Sequence, residues 1–139
     1  MANIALITAN RVEVVETTVQ MTLPAAETIT PGQAVRIDTT TGKFTAANGT
    51  AAGEARIWGI AVGTHQVTAG LPVTAIRIGV LDGFTFSQAY DAAIYLSDTD
   101  GRLADAAGTV SVIVGRIIPG NAEVLGTAMT KIMQVHVTA

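Results

Sequence analysis

The sequence predicts an all-β protein, a small β-barrel or compact β-sandwich built from hairpins, with little helix. Apolar and polar residues alternate in several segments, most regularly in residues 15–23. This period of two is typical of a half-buried pleated strand. Turns rich in Gly and Asp separate these segments. No segment carries an apolar repeat of 3.6 residues over three turns, so helix is a minor component.

Two similar stretches organise the chain. Residues 35–45 and residues 94–104 each read as a strand, a tight turn and a short strand. Their turns contain Gly42 and Gly101, which lie 59 positions apart (101 − 42 = 59). A glycine at this place can take the positive φ that closes a hairpin. We therefore expect both glycines to have positive φ and both stretches to form hairpins.

A further apolar strand follows each hairpin, residues 57–62 after the first and residues 110–114 after the second. Pro119 is expected to end the second of these strands, because proline cannot donate to the strand ladder. The pattern indicates a weak internal duplication of two hairpin-plus-strand units. Since a solenoid needs three or more repeats, two units that close on each other are favoured.

The first residues differ from the rest, and we divide the chain into an N-terminal arm, residues 1–15, and a single β-domain, residues 16–139. Two interpretations of the arm remain open. It is either an intradomain first strand or an extended arm that pairs with another chain by strand addition; we favour the second. The apolar parity changes between Val14 and Val15, which predicts a β-bulge there.

The remaining elements follow from the same two signals, alternation and turn residues. In chain order they are a turn at 30–32, a loop at 48–53, a loop at 65–72, a strand at 73–80, a turn at 82–83, an irregular segment at 84–93 and a last strand at 133–137.

The composition predicts association with other chains. Apolar residues make up 49% of the 139 residues and charged residues only 14%, against about 25% charged in a typical soluble domain. This length indicates one domain with its own core. With so few charges, part of the apolar surface is expected to be buried against other subunits.

Other features exclude several classes of partner. The net charge is −3 and the eight Lys and Arg residues are scattered, which argues against nucleic acid. The chain has no cysteine, so it has no disulfide, thiolate nucleophile or Cys-bound zinc. No apolar run approaches the ~20 residues of a membrane span, and the start lacks the basic region of a signal peptide. We expect no membrane partner and synthesis in the cytoplasm.

The sequence contains no convincing catalytic residue. Its two histidines are the available bases, and neither is placed beside a nucleophile. His136 alternates with Val135 and Val137, so it is expected to point outward from a strand. His65 lies in a loop rich in Thr and Gly and is expected at a surface or an interface. The protein is therefore predicted not to be an enzyme.

No metal or cofactor is predicted either. Asp98, Asp100 and Gly101 resemble the start of a calcium loop, but the further oxygen ligands and the bidentate Glu are missing, so a turn is favoured. Trp58 is expected in the core, because it lies within an apolar strand.

Four segments together resemble the capsid cement, or head-decoration, proteins of tailed bacteriophages. They are Thr30-Pro-Gly-Gln-Ala-Val-Arg-Ile-Asp, Ile57-Trp-Gly-Ile-Ala, Tyr95-Leu-Ser-Asp-Thr-Asp-Gly-Arg-Leu and Val112-Ile-Val-Gly-Arg, within residues 28–118. The resemblance implies a small β-barrel-like protein on the outer face of the capsid in the virion. It implies a homotrimer that binds the major capsid protein and stabilises the head, often through an N-terminal arm. No catalytic residue is implied.

On this interpretation we expect the capsid or subunit interface to include apolar residues of the arm and one loop residue. These are Ile4, Leu6, Ile7, Val12, Val14 and His65. Two alternatives remain: another phage structural module, such as a fibre or tail β-domain, and a small ligand-binding or enzymatic β-barrel. A deep polar pocket would favour the latter.

Overall fold

The protein is all-β, as predicted. The structure is a computed structural model that describes residues 2–124 and 128–137, with only the backbone of 121–124 and 128–129. In this part of the chain eleven strands and no helix occur. The strands are β1 (Ala5–Leu6), β2 (Glu13–Pro24), β3 (Ala34–Ile37), β4 (Phe44–Ala46), β5 (Gly59–Val62), β6 (Pro72–Asp82), β7 (Phe84–Thr85), β8 (Ala93–Leu96), β9 (Leu103–Ala104), β10 (Ile113–Val124) and β11 (Ala128–His136).

One antiparallel sheet holds nine of these strands and curls into a half-barrel. Eight of them follow the order β4-β3-β5-β6-β11-β10-β8-β9, and β2 pairs in addition with β6. The order reads as two similar units, one formed by β3 to β6 and the other by β8 to β11. In the first unit β3 and β4 form a hairpin, β5 pairs with β3, and β6 pairs with β5. In the second unit β8 and β9 form a hairpin, β10 pairs with β8, and β11 pairs with β10.

The two hairpins match in register and in their turns. Ile37 pairs with Phe44 in the first, and Leu96 pairs with Leu103 in the second. Gly42 has φ 71° and Gly101 has φ 69°, the left-handed conformation that glycine adopts without a Cβ penalty. The predicted duplication is therefore confirmed.

The two ends of the sheet meet because the turn of the second hairpin packs against the first unit. The amide of Gly101 donates to the carbonyl oxygen of Ala47 at 2.7 Å, and its carbonyl oxygen accepts from the amide of Ala34 at 3.0 Å. Nearby, the side-chain amide of Asn48 donates to Asp100 at 2.5 Å. These bonds hold the curled sheet closed at this end.

The core has two parts. The larger cluster takes apolar side chains from both units, among them Ile60, Ile76, Leu96 and Met133. The smaller cluster is built around Ile29, Val35 and Phe44. In the second cluster, residues 25–29 cover β3 and β4, since Ala25 bridges to Phe44.

The strand β2 differs from its prediction. The bulge near Val14 is confirmed, because the register with β6 shifts between Val14 and Glu16. The expected burial of one face is wrong, since the first eight residues of β2 are exposed on both faces. No other described element packs over this half of the strand. The alternation of apolar and polar residues is compatible with an element that covers one face of β2, but it does not show that this element belongs to the same chain.

The N-terminal segment is also corrected. It was expected to be an extended arm, residues 1–15, that pairs with another chain, but β1 pairs with β7 and Asn3 bridges to Ala104 of the same chain. Ile4 is 7% exposed and Val12 is 2% exposed, and both belong to the larger core cluster. Residues 2–12 are therefore part of the domain, because the edge of β9 and the core offer this segment partners within its own chain.

The strand after the second hairpin begins and ends later than predicted. It starts at Ile113 rather than at residue 110, and it continues past Pro119 to Val124. Pro119 pairs with Lys131, and the register shifts directly after it. The pairing of β10 with β8 ends at Arg116, so proline is tolerated where β10 has only β11 as a neighbour.

Within residues 2–124 and 128–137, no helix is long and apolar enough to cross a membrane.

Candidate functional site

A groove opens where the two units of the sheet diverge. β2 pairs along the whole length of β6. On β6, residues Thr74 to Ile76 pair with β5, and residues Ile78 to Leu81 pair with β11. Since β2 occupies one side of β6, both β5 and β11 lie on the other side, and they separate at Arg77. The groove at this fork has a volume of about 520 Å³ and opens to solvent.

The lining of the groove combines apolar side chains with two arginines. Its principal residues are Ile37, Arg56, Ile57, Trp58, Arg77 and Val112. The described lining contains no carboxylate. This composition suits a partner that is apolar and carries negative charge.

Arg77 is held in place by Trp58. Its Nη1 donates to the carbonyl oxygen of Trp58 at 3.0 Å, and its guanidinium carbon lies 5.6 Å from the centroid of the Trp58 ring. This is a cation–π contact. The ring of Trp58 in turn packs against Phe44, with the centroids 5.7 Å apart. The positive charge is therefore positioned before any partner arrives.

The charges of the groove are not neutralised within the described chain. The two ion pairs there are Arg11–Glu13 and Arg116–Asp91, and neither includes Arg56 or Arg77.

The two carboxylates next to the groove residues in sequence are engaged elsewhere. Asp38 accepts from the amide of Thr40 at 2.9 Å, and this bond, with a smaller effect of Arg36, holds the pKa of Asp38 below its ordinary value of 3.8. Glu54 accepts from the hydroxyl of Thr50 at 2.9 Å. The described lining of the groove thus carries two arginines and no carboxylate, while the charge of Asp38 lies next to it in sequence.

The second feature is the open edge of β2. Among the described strands, the outer edges of β9 and β4 each carry one bridge, from Asn3 and Ala25, and β10 beyond Arg116 pairs with β11 alone. Within the described residues, β2 pairs with β6 alone along Glu13–Pro24. A long open edge offers backbone groups to another chain.

The exposed half of β2 is both apolar and acidic. Val14, Val15 and Val19 are 41%, 51% and 37% exposed. Glu13 lies directly opposite Asp82 on β6, a pairing of like charges that costs stability, and Arg11 compensates it in part through its ion pair with Glu13.

The structure separates the predicted interface residues into two groups. Ile4 and Val12 are buried and Leu6 packs against the core, so these three are corrected from interface residues to core residues. Ile7, Val14 and His65 are exposed and stay predictions. The loop of His65 begins beside β2, because Gly63 exchanges two backbone hydrogen bonds with Val12, at 2.9 and 3.1 Å.

The sequence interpretation missed the groove. Trp58 was expected in the core, but it is half-buried and lines the groove. Arg56 and Arg77 were not singled out, since residues 21 positions apart (77 − 56 = 21) meet only once the strands are assembled. A signal was present, however: Arg77 stands between Ile76 and Ile78 in the middle of an apolar strand.

The described residues contain no group of three or more His, Cys, Asp or Glu side chains that could hold a metal ion. Compared with protein-family models, with curated proteins and with solved structures, the chain gives no match in any of the three. The groove and the open edge are therefore interpreted from their own chemistry.

Proposed function

We propose that the protein is a head-decoration protein of a tailed bacteriophage. It binds the major capsid protein on the outer face of the capsid, acts as a homotrimer, and stabilises the head through contacts rather than through chemistry. The observation that carries this proposal is β2, a strand of 12 residues that is exposed on both faces along its first eight residues and, among the described residues, unpaired along one edge.

An isolated subunit gains little apolar burial from the first eight residues of this strand. Burying apolar surface contributes about 25 cal/mol per Å², and the valines of β2 forgo this contribution in the free chain. Natural proteins generally protect long edge strands by covering or charging them. The exposure of β2 is therefore best explained by a partner chain that covers it.

Two further properties support the proposal. Charged residues make up only 14% of the chain, as expected for a subunit that buries much of its surface in an assembly. The turn-and-strand segments of both units also resemble those of head-decoration proteins, as described above.

A fibre or tail β-domain would share these properties and remains the alternative. A ligand-binding barrel has less support, because side chains of the large cluster fill the interior between the two units. The groove at Arg77 is open at the surface, which suits a protein segment better than an enclosed small molecule.

The proposal is tested by cosedimentation of the purified chain with expanded heads and, separately, with purified tails. The heads are assembled from a purified major capsid protein of a tailed bacteriophage. We expect saturable binding to heads and none to tails, with an unrelated small β-protein as the control. Binding to tails alone would favour the alternative, and absence of binding to either would overturn the proposal.

A further inference from the structure

We propose that the groove at Arg77 receives the acidic, valine-rich half of β2 from a second copy of the chain. Residues 13–19 of one subunit would contact the groove of the next, with Glu16 facing Arg56 and Arg77. This inference rests on the self-association in the proposed function and names the surfaces that perform it.

The carboxylates of the chain favour Glu16 as the partner. Among the described Asp and Glu side chains, eight bind a group of their own chain: Glu13, Glu27, Asp38, Glu54, Asp91, Asp98, Asp100 and Asp105. Glu16 and Asp82 have no such partner among the described residues. Both lie at the same end of the β2–β6 pair, since Glu16 pairs with Val80 and Glu13 with Asp82.

The apolar residues match in the same way. Val15 is 51% exposed beside Glu16, and Ile37 is 38% exposed at the rim of the groove. Each surface thus presents an aliphatic side chain next to an unpaired charge, and the two charges are opposite. Complementary charge fixes the orientation of two chains, and the burial of aliphatic side chains adds affinity.

Within one described chain, Glu16 forms no ion pair with Arg56 or Arg77. β6 lies between β2 and the groove, because β2 pairs on one side of it and β5 and β11 on the other. The contact proposed here therefore joins different patches of two subunits. Such heterologous contacts generate a closed ring when the rotation between neighbours closes.

The test is a charge exchange measured by sedimentation equilibrium of the full chain. We expect Glu16→Arg and Arg77→Glu each to weaken self-association by about tenfold or more, since each leaves a like-charge pair in a partly desolvated contact. The double variant restores an opposite-charge pair and is expected to regain most of the lost association.

Two further variants control for folding and for net charge. Arg56→Glu changes an exposed side chain without a described partner, so its effect does not depend on the bond between Arg77 and Trp58. Arg102→Glu makes the same change of charge at an exposed arginine outside the groove lining and is expected to leave association unchanged. Circular dichroism melting identifies any variant that fails to fold.

A cysteine cross-link gives an independent readout, because the chain contains no cysteine of its own. Under oxidation, a mixture of Val15→Cys and Ile37→Cys proteins is expected to form disulfide-linked dimers faster than either protein alone. Equal rates in the mixture and in the separate proteins would overturn the proposed contact.

The outcomes separate this inference from the proposed function. If the wild-type chain associates and the groove variants do so equally well, the contact proposed here is wrong and self-association stands. If the wild-type chain is monomeric at every concentration, the homotrimer and this contact both fail, while binding to heads is decided by cosedimentation.

Discussion

The guanidinium of Arg77 lies 5.6 Å from the centre of the Trp58 ring, and its Nη1 donates to the carbonyl oxygen of the same tryptophan at 3.0 Å. Both residues belong to the first unit of the duplicated sheet, at the point where the second unit joins it. The groove exists because β11 pairs on the same side of β6 as β5 does. The duplication thus produces a groove lined by apolar side chains and two arginines at the junction of its two halves.

The two turn glycines provide the first prediction. Gly42→Ala is expected to cost about 1 kcal/mol, the penalty for a Cβ at positive φ, since nothing lies within 4 Å of the added atom. Gly101→Ala is expected to cost more, because the added Cβ would lie 3.0 Å from Gln33. Urea unfolding of both variants checks this, and equal losses would show that the second turn is not packed against the first unit.

The N-terminal segment provides a matched pair of isoleucines. Ile4→Ala is expected to lower the free energy of unfolding by about 2–5 kcal/mol, as for a buried aliphatic side chain, since Ile4 is 7% exposed. Ile7→Ala is expected to change it by less than about 0.5 kcal/mol, because Ile7 is 66% exposed. If thermal unfolding finds Ile4→Ala as harmless as Ile7→Ala, the interpretation of a detached arm returns.

The bond between Asn48 and Asp100 closes the sheet and is expected to contribute measurably. Asn48 is buried, and its side-chain amide donates to the Asp100 carboxylate at 2.5 Å. Asn48→Ala is expected to cost about 1–3 kcal/mol, because it removes the hydrogen bonds of the Asn48 side chain to Asp100 and Thr50. Asp100→Asn keeps an acceptor oxygen and is expected to cost less. Equal stability of Asn48→Ala and wild type in urea would exclude this role.

Asp105 predicts a dependence of stability on acid pH. The amide of Ala2 donates to Asp105 Oδ1 at 2.9 Å, and this bond holds the pKa of the carboxyl below its ordinary value of 3.8. A depressed pKa in the folded state contributes stability above the pKa of the unfolded chain, and this contribution is lost as the pH falls through the folded value.

Asp105→Asn is therefore expected to lose less stability than wild type between pH 5 and pH 3, both measured by urea unfolding. An identical decrease in both proteins would show that the Ala2–Asp105 bond does not contribute.

Local chemistry explains what the sequence could predict. The hairpin turns were predictable because Gly42 and Gly101 follow Asp- and Thr-rich residues, and such a turn depends on its own few residues. The bulge at Val14 was predictable for the same reason, since a change of parity is visible along a single strand.

Features that depend on a distant partner could not be read in this way. The apolar pattern that includes Ile4 and Leu6 is the same whether the segment pairs with its own chain or with another. The favoured interpretation, an arm that pairs with another chain, was therefore the wrong one of the two. The prediction that one face of β2 is buried was wrong for a similar reason, because the sequence does not show which chain covers Val15. The meeting of Arg56, Trp58 and Arg77 requires the fork between β5 and β11, which no single segment encodes.

Stabilisation of the capsid is tested by heating filled heads with and without the protein and following the release of DNA with a fluorescent dye. We expect the release temperature to rise with occupancy and to level off when binding saturates. Glu16→Arg is expected to raise it less than wild type at the same total concentration, if subunit contacts contribute to the effect. Saturated heads that release DNA at the same temperature as bare heads would contradict a stabilising role for this protein.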